Sequence, residues 1–162
     1  MSMSDLNDAF KLFEEHKQKG FFGGKKDETL IQLAENALGI QFPPTYKLFL
    51  KNYGSGGLSG DEIYGITSNN FENSTIPNGV WVTLNERINW ELPLTHIIIA
   101  STGDGYWYIL DSSQPNKEGE YPVCIYQMFG DEIYQEKVNE DFGEFLLEHV
   151  KNILEDDMDW ED

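Results

Sequence analysis

The chain has 162 residues, 29 of them acidic and 11 basic, for a formal net charge of −18. That length suits one domain with a full core, and an aromatic content of 14% sets the chain apart from disordered sequences. So much negative charge repels free nucleic acid and anionic membrane surfaces, and it attracts basic proteins.

The first amphipathic helix is predicted over 5–19, where Leu6, Phe10 and Phe13 recur at helical spacing. Gly20, Gly23 and Gly24 end it and make a flexible link. A second helix is predicted over 28–38, with Asp27 as N-cap, Leu30, Ile31, Ala34, Ala37 and Leu38 on one face, and Gly39 as the stop. Pro43-Pro44 then opens a third, over 44–53, because the first turn of a helix has no use for the N–H that proline lacks. Gly54-Ser55-Gly56-Gly57 lacks the Lys-Ser/Thr pair of a phosphate loop and follows a helix, so it reads as a turn into a sheet. Residues 58–66 read as a strand or hairpin arm, 67–79 as a polar loop, and Val80–Trp90 as a helix, since its apolar positions do not alternate.

Three further strands are predicted. The apolar run 95–101 fits a central strand, 105–111 alternates after the tight turn Gly103-Asp104-Gly105, and 121–128 alternates again. A polar loop spans 112–120, a turn falls at 130–132, and a last amphipathic helix covers 141–154. Helices, then strands, then a helix indicate an α+β single domain over 1–154: an antiparallel β-sheet backed by helices on one face. Residues 155–162 hold six acids and read as a solvated acidic C-terminal tail.

Catalytic readings find little support. His16, His96 and His149 show no metal-ligand spacing, and Cys124, the single cysteine, reads as a small core residue. No catalytic residue, metal site or cofactor is therefore assigned. The acidic pairs Asp61/Glu62, Asp104/Asp111 and Asp131/Glu132 keep open a small enzyme that works with two carboxylates. The N-terminus shows no leader pattern, and no apolar run approaches the roughly 20 residues of a membrane span, so a cytoplasmic location is expected.

Glu28–Gly65 carries an ordered set of short motifs: Leu38-Gly39, Phe42-Pro43, Phe49-Leu50, Tyr53-Gly54 and Gly56-Gly57. Gly103-Asp104-Gly105, Leu110-Asp111 and Phe142…Phe145-Leu146 follow. The set resembles the SUKH superfamily of Smi/Knr-type proteins over about 25–150. The resemblance implies a SUKH fold and a bacterial immunity protein (antitoxin) that binds and neutralises a cognate polymorphic toxin, often a nuclease. It implies no enzymatic residues. An acidic inhibitor suits a nuclease, whose surface must be basic to hold phosphates. An acidic scaffold or regulator of a host protein is the alternative.

The expected partner is thus a basic toxin domain, with no direct contact to nucleic acid or membrane. Acidic steering groups on the loops, and Trp107 as an aromatic anchor on the strand face it shares with Asp111, would form or border its binding surface: Asp61, Glu62, Asp104, Trp107, Asp111, Glu118, Asp131 and Glu132.

Overall fold

The structure, a computed structural model, describes residues 2–161, and among them the chain forms five α-helices and two antiparallel sheets. Helix α1 (Ser2–Glu15) buries Leu6, Ala9 and Phe13. It ends earlier than the sequence predicts, because Lys17–Lys19 tighten into a 3-10 turn. The supposed flexible link contains a strand instead: β1 (Gly20–Phe22) pairs with β2 (Gly56–Leu58). The glycines of 54–57 make that pairing possible. A Cβ on Gly56 would lie 2.1 Å from the Phe21 carbonyl oxygen, and Gly56 sits at φ +100°.

Helix α2 (Glu28–Leu38) has the predicted ends: the Asp27 carboxylate accepts the Leu30 N–H at 2.8 Å, and Gly39 adopts φ +69°. Helix α3 (Pro44–Asn52) starts at Pro43, which has no side-chain acceptor for the first free N–H groups. Glu120, from the 112–120 loop, supplies one. Its carboxylate accepts the Thr45 N–H at 3.0 Å and the Thr45 hydroxyl at 2.7 Å. Helix α4 (Gly79–Trp90) is capped by Asn78, whose side-chain oxygen accepts from the Val80 and Trp81 N–H groups.

The main sheet runs β3 (His96–Ser101), β4 (Trp107–Asp111), β5 (Val123–Phe129), β6 (Glu132–Asn139), antiparallel throughout. Three sequence expectations change here. Residues 58–66 do not continue as a strand, because Ser59 and Gly60 both take positive φ and turn the chain away. Strand β6 replaces what the sequence showed only as a turn at 130–132. And β3 is an edge strand by hydrogen bonding, not a central one.

The apolar run of β3 has a different cause: both its faces are covered. On one face Ile97, Ile99, Leu110 and Val123 join the main core with Leu6, Phe13, Tyr46, Phe49, Phe142 and Leu146. On the other, Ile98, Ile109, Cys124 and Tyr126 meet Tyr64, Val82 and Leu92. Helices therefore flank the sheet on both sides, with α4 on the face expected to be open.

The last helix, α5 (Phe142–Glu161), runs through most of the supposed tail. No glycine or proline interrupts 155–161. Asp157 accepts hydrogen bonds from Lys19 and Ser59, so these turns are tied to the body of the domain. Asp162 lies outside the described residues. Among the described residues, no helix is long and apolar enough to cross a membrane.

Candidate protein-binding site

The antiparallel register brings the β3–β4 loop and the β5–β6 turn to the same end of the sheet. Trp107 pairs with Tyr126, and Phe129 pairs with Glu132 across the two-residue turn Gly130-Asp131. The Gln127 amide donates to the Gly105 carbonyl at 2.7 Å and ties the loop to the hairpin. Tyr106 then meets Phe129 and Tyr134 edge-to-face, with ring centroids 5.6 and 5.5 Å apart. Phe129 is 54% exposed and Tyr134 42%. Asp104 on the loop, and Asp131 and Glu132 on the hairpin that carry these rings, are exposed. A depression of 380 Å³ lies between Asp104, Tyr106, Tyr108, Ile125 and Tyr134.

Asp61 reaches the same region from the segment after β2. Its carboxylate meets His149 Nε2 of α5 at 3.0 Å. Burial raises the Tyr108 phenol above its ordinary pKa, and the charges of Asp104 and Asp61 add to that shift. Both carboxylates thus bear on one ring. Glu62 is exposed and, together with Asp61, borders a second cleft of 260 Å³ with Phe21.

The other expected site residues lie elsewhere. Trp107 is half-buried against Tyr64 in the second core, at a ring distance of 6.4 Å. Asp111 is only 3% exposed, at the far end of β4. Its carboxylate accepts from the Ser113 N–H and hydroxyl, and from the Gln114 and Gln135 amides. Burial alone would raise its pKa, but these bonds and the nearby His96 outweigh it, so the carboxyl lies below the usual range. Glu118 is also at the far end and accepts from the Ser2 hydroxyl at 3.1 Å. The surface therefore gathers Asp61, Asp104, Asp131 and Glu132, with Trp107 beneath and Glu62 alongside, and leaves Asp111 and Glu118 out.

Tyr106, Phe129 and Tyr134 are contacts that the sequence did not single out. The turn at Gly130-Asp131 after the alternating stretch 121–128 was the available signal.

The chemical constellations come apart. Asp104 and Asp111 sit at opposite ends of β4 and cannot share a substrate bond. His96 Nε2 meets Gln135 Oε1 at 2.8 Å, and Gln135 stands between it and Cys124. Burial, with Asp111 nearby, pushes the Cys124 thiol above its ordinary pKa, the opposite of what a nucleophile needs. No group of three or more potential metal ligands occurs among the described residues.

A family model described as SMI1-KNR4 cell-wall, within the SUKH superfamily, matches residues 28–146. The match opens at the first residue of α2, spans the whole main sheet and ends inside α5. It takes in the capped helices, Gly56 on its side of the β1–β2 pair, and the aromatic end of the sheet. The chain belongs to the SUKH superfamily, in its SMI1-KNR4 family.

Proposed function

We propose that the protein is an immunity protein that binds and neutralises a toxin in the cytoplasm. Members of the SUKH superfamily are generally immunity proteins against polymorphic toxins. On this reading the toxin presents a basic surface, of the kind a nuclease uses to hold phosphates. Occlusion of that surface is the mechanism, and no residue of this chain performs chemistry.

The observation that carries the reading is the sheet end built from Tyr106, Phe129 and Tyr134, with the exposed acids Asp104, Asp131 and Glu132 on the loop and hairpin that carry these rings and Asp61 nearby across Tyr108. Aromatic rings supply anchoring area at interfaces, and like charges around them steer an opposite partner. The −18 net charge extends that steering over the whole molecule.

The test pairs the protein with the toxin domain encoded beside it. Co-expression should rescue growth, and the purified pair should associate more slowly as salt rises. Asp104→Lys, Asp131→Lys and Glu132→Lys together should weaken binding at least about tenfold, at roughly 0.5 kcal/mol or more for each reversed charge. Unchanged affinity in a folded triple variant would refute this placement.

A further inference from the structure

We propose that β6 receives an extended, basic segment of the partner as a fifth strand of the main sheet. The inference rests on the basic partner proposed above, and it adds the mode of binding.

Hairpin geometry fixes which backbone groups are free. Phe129 and Glu132 pair across a two-residue turn. A pair in that position must be the hydrogen-bonded kind, because the alternative would require Gly130 and Asp131 to bond each other. Alternation along the regular register then points the backbone groups of Glu132, Tyr134 and Glu136 at β5. The N–H and C=O groups of Ile133, Gln135 and Lys137 point away from it. Among the described residues, no hydrogen bond reaches those outward groups. The opposite edge is different: the Tyr64 N–H bonds the Ile99 carbonyl at 2.7 Å, and the Thr83 hydroxyl accepts the Ile98 N–H at 3.0 Å.

Strand β6 is also exposed on both faces. Every residue from Glu132 to Val138 is exposed, and Ile133 is 59% so. Natural sheets blunt such edges with bulges and charge. Here the one irregularity falls opposite Val123 and Cys124, past Lys137, and leaves Glu132–Lys137 an unbroken template.

Side-chain alternation defines the occupant. Glu132, Tyr134 and Glu136 share one face, and Ile133, Gln135 and Lys137 the other. A strand laid beside them finds acidic neighbours on the first face and Ile133 on the second, so alternating basic and apolar residues fit. A second copy of this chain fits badly. Pairing two β6 edges would collect Glu132 and Glu136 from both molecules on one face, between bodies of −18 each.

The probe is acetyl-(Lys-Val)4-amide, with the Glu-Val analogue and a backbone N-methylated Lys-Val peptide as controls. At low salt, Lys-Val should bind and the controls should not. Saturating peptide should slow amide exchange at Ile133, Gln135 and Lys137 together. Ile133→Pro removes one outward N–H and leaves the bonds to β5 in place, and it should weaken binding about tenfold. Ile133→Ala keeps the N–H and should cost less than about threefold. If the proline variant does not fold, the N-methylated peptide and the exchange pattern decide. No binding at millimolar peptide, equal binding of the N-methylated peptide, or dimerisation through β6 would overturn the inference. Salt-sensitive binding that ignores both N-methylation and Ile133→Pro would sink strand addition and leave the acidic docking surface standing.

Discussion

Glu120 holds the start of α3 across 75 residues of chain, and replacing it should measure how much a borrowed cap is worth. Thr45 is fully buried, so in Glu120→Ala its N–H and hydroxyl lose their acceptor out of reach of water. A stranded buried donor costs about 1–3 kcal/mol, and loss of a helix N-cap typically about 1. These describe overlapping losses, and the small void left adds to them, so about 3 kcal/mol is expected in all. For a chain of this size that lowers Tm by about 6–12 °C.

Glu120→Gln keeps an acceptor and removes the charge. Burial raises the Glu120 carboxyl pKa, partly offset by the bonds from Thr45. A raised pKa means the folded state holds its proton longer than the unfolded state does. Ionisation of Glu120 therefore removes stability as pH climbs from its unfolded to its folded value. The Gln variant escapes that loss, so it should stay within about 1 kcal/mol of wild type at pH 7 and compare less favourably at pH 4. Urea denaturation followed by circular dichroism at both pH values reads all three proteins. An Ala variant within about 0.5 kcal/mol of wild type would show that water or a shifted backbone replaces the cap.

Phe142→Ala should cost about 3–5 kcal/mol in urea denaturation, since its fully buried ring packs on Tyr46 and Phe49 at 5.1 and 5.5 Å. Gly56→Ala forces a Cβ against the Phe21 carbonyl and strains a positive φ, so it should destabilise the β1–β2 pair by more than about 1 kcal/mol and speed amide exchange there. Asp111 has a depressed pKa, so its contribution is present above the unfolded value and disappears as pH falls through the folded one. Asp111→Asn should therefore be less stable than wild type at pH 7, with the deficit shrinking in acid; a pH-independent deficit would assign the loss to hydrogen bonding rather than charge.

Helices α2, α3 and α4 were legible from local signals: Asp27 and Gly39 for α2, Pro43-Pro44 for α3, and for α4 a run that does not alternate. Strand β6 was not, since neither of its faces is apolar and periodicity has nothing to detect. The sequence also placed Trp107 and Asp111 on one face of β4. It could not show that α4 covers that face, because the covering contacts from Val82 and Leu92 are long-range. The same limit explains the supposed tail. Six acids in eight residues give no sign that one of them, Asp157, meets Lys19 and Ser59, far away in sequence. The candidate surface was half legible: acids in loops could be named, but only strand register could sort Asp104 and Asp131 to one end and Asp111 and Glu118 to the other.

Helices α1 and α5 pack on each other and share the main core. That places two helices more than a hundred residues apart in sequence in direct contact. Leu6, Ala9 and Phe13 have no finished surface to rest on until Phe142, Phe145 and Leu146 emerge. The β4–β5–β6 meander can pair during synthesis through local contacts, but the helical layer cannot close before α5 is free. Until α5 is made, α1 therefore carries an exposed apolar stripe. Truncation ahead of α5 should abolish the whole fold and not merely shorten it.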